Sequence, residues 1–247
     1  MPKFFVDKRC VVEDNIIIED ENVNHLKNVL RSNIGDALII NDRQGKDYKC
    51  IISLIENNLI KARITEVSDS DTEPSVDTVL FQSLVKGEKM ELVIQKAIEI
   101  GVTKIIPMAT SRCVVKIDNP KKMVSKLERW NKIAESAAKQ SGRGIVPRVC
   151  EPMEFKEAIE YAATSLEVVC IPYEKEKDNT VKAFLTKQTA KSFGIFIGPE
   201  GGFSEEEVLK AKDKGVASIT LGPRILRSET AGLVVLANIM YEMGEMN

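Results

Sequence analysis

The chain has 247 residues, of which 43% are apolar and 29% charged, with a formal net charge of −2. That is length for one large domain or two smaller ones, each with a real core, in an ordinary soluble composition. No apolar run approaches the ~20 residues that span a bilayer, the opening MPKFFVDKRC has no signal-peptide pattern, and His25 is the only histidine. A multi-histidine metal site is thereby almost unavailable, as is a Ser-His-Asp triad, which would have to be built on His25. The five cysteines form no CxxC pair and read as reduced thiols, so no metal is expected.

From residue 4 to about 67 the pattern is short β-rich runs: FFV, CVV, NIIIE, ALIIND, CIISLI and LIKARITEV. Turn formers separate them, among them Gly35-Asp36 and Asn57-Asn58, and one short helix is expected at about 24–31. This predicts a small β-barrel over residues 1–70. The polar, acidic SDSDTEP at 68–74 predicts a linker.

A second domain over 75–247 follows, in which strand and helix alternate. DTVLFQSLV predicts a strand, then a helix runs from about Lys89 to a stop at Gly101. KIIPMA is the next strand, followed by a long helix at about 121–140 that breaks at SGRG. LEVVCI, SFGIFIG and ASITLG are apolar strands, with helices expected near 179–187 and 204–214 and a last one at about 229–243. Such alternation predicts a parallel, buried sheet with helices on both faces.

Charge is unevenly spread: residues 82–149 carry a net +8 and residues 150–247 a net −5. A basic middle between acidic ends is the footprint of a phosphate-contacting surface, although lysines decorating solvated helix faces give the same count. Lys86, Lys89, Arg112, Lys139, Arg143 and Arg148 are the expected RNA contacts.

Ligands of open α/β sheets bind at the carboxyl ends of the strands, and two loops leave such ends. The first, IGPEGGFS at 197–204, carries three glycines that permit close backbone approach or positive φ. Ser204 and Glu207 form a capping box that marks the next helix. The loop lacks the Gly-Lys-Ser/Thr of a P-loop and the GxGxxG of a dinucleotide site, and Glu200 would repel phosphate. The second loop, LGPRILRSETAG at 221–232, sets Ile225 and Leu226, read as a buried apolar slot, beside Arg224, Arg227 and Glu229. A plain helix start with a Glu–Arg ion pair would have the same composition.

GPEGGFS followed by LGPRILRSETA resembles the ribosomal RNA small-subunit methyltransferase E (RsmE) family of the SPOUT superfamily. HLKNVLR, KGEKMELVIQKAIEIGV, SRCVV and RWNKIAESAAKQSGRGIVP extend the resemblance over nearly the whole chain. It implies an α/β fold: a SPOUT-type domain with a carboxy-terminal trefoil knot, preceded by a PUA-like β-barrel. It also implies a cytoplasmic homodimer that uses S-adenosylmethionine to methylate uracil N3 of one uridine of 16S rRNA, position 1498 in the usual rRNA numbering, within the 30S subunit. Ile197, Gly198, Pro199, Glu200 and Gly201 would line the cofactor cleft from the first loop. Leu221, Gly222, Ile225, Leu226, Arg227, Ser228, Glu229, Thr230 and Ala231 would line it from the second. Ser228 keeps a hydroxyl where the family also has threonine, and Gly232, where alanine is frequent, is expected only to loosen a helix start.

Uracil N3 carries a proton and is a poor nucleophile until it is lost, so the site needs a base or a cation aimed at O2 or O4. Arg227 is the expected catalytic cation, and Glu229 and Glu200 are the two choices for the base. A SPOUT enzyme acting on another RNA position, or an RNA-binding module without catalysis, shares much of this pattern. The module would leave both strand-end loops unexplained.

Overall fold

A computed structural model describes residues 1–115, 120–186 and 188–246. The chain divides into two compact units, Met1–Glu73 with Ala138–Val146, and Pro74–Ala137 with Pro147–Asn247.

In the first unit, β1 (Lys3–Phe5), β2 (Val11–Val12), β3 (Asn15–Ile18), β4 (Ala37–Asn41), β5 (Lys46–Ile55) and β6 (Ile60–Asp69) form one sheet in the order β1-β4-β5-β6-β3-β2. All neighbours are antiparallel except β1 and β4. Alternate residues point to one side, and Phe4, Ile16, Ile18, Leu38, Ile40, Tyr48, Cys50, Ile52, Ile60 and Ala62 meet in a single core. The expected helix at 24–31 begins earlier, as α1 (Asp20–Asn24), and continues as a π-turn over His25–Val29. His25 lies edge-on to Phe4 with centroids 5.6 Å apart. β6 stays paired through Asp69, opposite Lys46, so the expected linker starts later than residue 68.

The sequence predicts an uninterrupted second domain, but Ala138–Val146 belongs with the first unit. The Arg143 guanidinium lies 2.6 Å from Glu73 Oε2, Gly144 and Ile145 donate their N–H groups to Glu73 Oε1, and Gly45 N–H donates to the Gly144 carbonyl. Gly144 sits so close to Ser70 that a Cβ there would meet the serine Cβ at 2.3 Å.

The second unit contains β7 (Asp77–Ser83), α2 (Lys89–Ile100), β8 (Lys104–Ala109), α3 (Pro120–Ser141), β9 (Arg148–Val149), β10 (Met153–Glu154) and α4 (Phe155–Ser165). It continues with β11 (Val168–Pro172), α5 (Val181–Leu185), β12 (Ser192–Ile197), α6 (Glu205–Asp213), β13 (Ala217–Ile219) and α7 (Ser228–Glu242). The helix expected at 179–187 is α5, and residue 187 lies outside the described residues. The sheet order is β10-β8-β7-β12-β11-β13 with β9 beside β8, and every pairing is parallel. β7 and β12 run through its centre, where Phe81 stacks on Phe196 at 4.3 Å and Phe155 and Phe203 close the layer. Gly101, at φ 118°, ends α2 in the left-handed conformation that stops a helix. Among the described residues, no helix is long and apolar enough to cross a membrane, and no three His, Cys, Asp or Glu side chains could hold a metal.

Candidate active site

The two central strands end in register, Ile197 beside Gln82. Gln82 and Ser83 are fully buried, a polar pair closing an apolar strand. Gln82 Nε2 donates to the Ser83 carbonyl (3.2 Å) and to Ser228 Oγ (3.0 Å), and Ser228 Oγ donates to the Gly198 carbonyl (2.5 Å). One hydroxyl thus ties the end of β7, the turn after β12 and the first residue of α7 together. Gly232 lets α7 lie close on the sheet, since a Cβ there would come within 3.2 Å of Ile197 and 3.3 Å of Leu80. It is a packing glycine, not the loosened helix start expected from sequence. Three buried oxygens at this end of the sheet have no hydrogen-bond partner among the described residues: Gln82 Oε1, Ser83 Oγ and Glu229 Oε2.

The turn after β12 closes with Gly202 N–H on the Pro199 carbonyl at 2.9 Å, and Gly202 takes φ 66°. Gly198 is enclosed: a Cβ there would lie 3.1 Å from the Phe203 ring and 3.2 Å from the Gly202 backbone, whereas Gly201 has room for one beside Arg112. Glu200 reaches α2, where Lys89 Nζ lies 3.1 Å from its Oε1. Partial burial pushes the Glu200 carboxyl up, but its own amide, the Lys89 ammonium and the Lys86 amide outweigh this and hold it below the usual range. On the other side Arg112 donates to the Gly201 carbonyl at 2.8 Å. The loop bearing Arg112 is fixed by Glu207, which accepts Ser111 N–H on Oε1 (2.7 Å) and Ser204 N–H on Oε2 (2.8 Å).

The second loop leaves β13 through Gly222 at φ 93°. Ile225 is 81% exposed and Leu226 half-buried. The pair is therefore not the buried slot expected: Ile225 turns to solvent and only Leu226 is partly covered. Arg227 caps α7, its carbonyl accepting the Thr230 and Ala231 amides, and its side chain is exposed. Glu229 follows in the first turn, its side chain only 12% exposed and Oε2 3.7 Å from Lys89 Nζ.

Two family models match the chain, an RNA methyltransferase domain over residues 72–240 and an RNA methyltransferase PUA domain over residues 18–65. The ribosomal RNA small subunit methyltransferase E of Bacillus subtilis is 34% identical over 98% of this chain and 97% of its own length. The protein of that name from Mesomycoplasma hyopneumoniae is also 34% identical, over 98% of this chain and 100% of its own length. The chain belongs to the ribosomal RNA small subunit methyltransferase E family. A solved member from Neisseria gonorrhoeae, bound to S-adenosyl methionine, superposes with a TM-score of 0.83 at 30% identity, covering 98% of this chain and 97% of that one.

In this methyltransferase E chain the expected RNA contacts separate into groups. Lys86, Lys139 and Arg148 are exposed, and Arg112 is exposed while bonded to Gly201. Arg143 is only 3% exposed and committed to Glu73, so it braces the first unit instead of facing phosphate. A buried guanidinium needs its carboxylate, and the acidic linker supplies it. Lys89 faces two carboxylates. Gln82, Ser83 and the Ser111 end of Glu207 escaped sequence reading; a polar Gln-Ser pair in an otherwise apolar strand is the signal for the first two.

Proposed function

We propose that this chain transfers a methyl group from S-adenosylmethionine to N3 of one uridine of 16S rRNA, position 1498, in the 30S subunit. The observation that carries the proposal is the set of three buried oxygens without donors, Gln82 Oε1, Ser83 Oγ and Glu229 Oε2, at the end of β7 and the start of α7. Buried acceptors without partners are rare in native proteins and point to a ligand that supplies donors. The glycine turn at 198–202 and the loop at 221–231 flank them, as a cofactor with polar and apolar parts requires.

When bound, S-adenosylmethionine supplies an electrophilic methyl carbon on a sulfonium sulfur, and transfer leaves a neutral thioether. The residues of this chain must then align the acceptor nitrogen with that carbon and take the N3 proton. Glu200 is already saturated by Lys89 and two amides and held as a carboxylate of low proton affinity, which makes it a clamp on the turn. Glu229 Oε2 has no donor among the described residues and is the acceptor for the N3 proton. Arg227, exposed two residues earlier at the start of α7, offsets the negative charge that develops on uracil O2 or O4.

The carboxy-terminal segment forms the trefoil knot of this architecture, a reading supported by α7, which begins beside the ends of β7 and β12 and packs against α2. The working form is a homodimer, which gives exposed Ile225, Leu92 and Tyr241 a surface to meet. It acts in the cytoplasm, on ribosomal RNA. Incubating the protein with labelled S-adenosylmethionine and unmodified 30S subunits should label one uridine. Label on another nucleotide would reassign the target, and absence of label on any RNA would overturn the proposal.

A further inference from the structure

Lys89 is the first residue of α2, and the sequence places it among the phosphate contacts. The structure gives its charge other work. Its ammonium lies 3.1 Å from Glu200 Oε1 on the turn after β12 and 3.7 Å from Glu229 Oε2 in the first turn of α7. Its side chain is only 34% exposed. Three segments far apart in sequence therefore meet at one cation. The two contacts are unequal. That to Glu200 is a hydrogen bond, within a set of donors that also holds the turn in place. That to Glu229 is too long for a hydrogen bond, so it attracts and aims the carboxylate while leaving Oε2 open to another donor.

We propose that Lys89 is a positioning residue of the methyl transfer: anchored by Glu200, its ammonium holds the Glu229 carboxylate in the orientation that receives the acceptor proton. The inference rests on the function proposed above and adds a residue to it. A phosphate contact would need the same ammonium turned to solvent and paired with neither carboxylate. Glu200 reads as part of the device: its carboxylate fixes the lysine on one side, so that the remaining freedom of Nζ is along the line to Glu229.

The test compares Lys89→Met with Lys89→Arg and Glu229→Gln in single-turnover methyl transfer, with binding measured separately. K89M should lose on the order of 10²-fold in the transfer rate at saturating cofactor and RNA, the size typical of removing one electrostatic interaction. Its dissociation constant for 30S subunits should stay within about threefold of wild type with an unchanged salt dependence, while that for S-adenosylmethionine rises because Glu200 loses its anchor, a change that saturating cofactor keeps out of the transfer rate. K89R, which can reach both carboxylates, should recover most of the rate. Because the two residues act as a unit, the double variant K89M/E229Q should be no slower than the slower single variant. A thermal melt establishes that each variant is folded. A K89M enzyme with full rate but weaker RNA binding and a salt slope shallower by about one would restore the phosphate reading and overturn the inference. Additive losses in the double variant would overturn it as well. A wild-type enzyme that methylates no RNA would instead remove the proposed function, and this inference with it.

Discussion

Replacing Glu207 by glutamine changes one atom of consequence. Glu207 is 8% exposed, and its two oxygens each accept a backbone amide, Ser111 at 2.7 Å and Ser204 at 2.8 Å. A glutamine can accept only one of them; its NH₂ group then faces an N–H, and one part-buried amide is left without its acceptor, which costs at most about 1–3 kcal/mol. Loss of a negative charge in the first turn of α6 adds about 0.3–1 kcal/mol. E207Q should therefore lose roughly 1–4 kcal/mol in urea unfolding followed by circular dichroism, and melt about 3–16 °C lower at the usual 2–4 °C per kcal/mol for this chain length. The structural reasoning goes one step further. Ser111 precedes Arg112, whose guanidinium holds the Gly201 carbonyl at 2.8 Å, so a displaced loop should also loosen the turn and weaken S-adenosylmethionine binding in a calorimetric titration. Wild-type stability would refute the two-amide account. Reduced stability with unchanged cofactor affinity would refute the link from Glu207 through Arg112 to the turn.

Three further outcomes are expected. Glu73→Ala should destabilise the protein by about 3–5 kcal/mol, because it removes the carboxylate that is paired with the nearly buried Arg143 guanidinium and that accepts the Gly144 and Ile145 amides; a loss under about 1 kcal/mol in urea unfolding would contradict this. R227A should keep cofactor affinity and lose on the order of 10²–10³ in single-turnover rate, and E229Q should show a similar loss that high pH partly relieves, since N3 then ionises unaided. An E229Q enzyme with a raised cofactor dissociation constant and no such relief would make Glu229 a cofactor anchor. Removing the charges of Lys86, Arg112 and Arg148 together should flatten the salt dependence of RNA binding by roughly one counterion for each phosphate that no longer meets a cation, and an unchanged slope would return these residues to a solvated face.

Element order was readable in the sequence because each element carries its own period and punctuation. Gly101 stops α2, the Ser204–Glu207 box starts α6, and SGRG ends α3, all local signals that the structure keeps. The site was readable only in part. Both loops stand at strand ends, but the bonds that join them run between Gln82 and Ser228 and between Ser228 and Gly198, and nothing in local spacing reports which strand ends are neighbours. Ile225 shows the opposite failure: apolar character alone points to burial, yet the side chain is 81% exposed. Arg143 and Lys89 count toward the basic middle of the chain, because net charge cannot distinguish a cation facing solvent from one matched to Glu73, or to Glu200 and Glu229.

The most direct measurement is mass spectrometry of 16S rRNA from cells lacking this gene, compared with cells in which it has been restored. The account predicts that a single uridine, at position 1498, loses an N3 methyl group on deletion and regains it with the wild-type gene, while E229Q restores little of it. An N3-methylated uridine persisting at full level without the gene, or a methyl group lost from a different nucleotide, would contradict it.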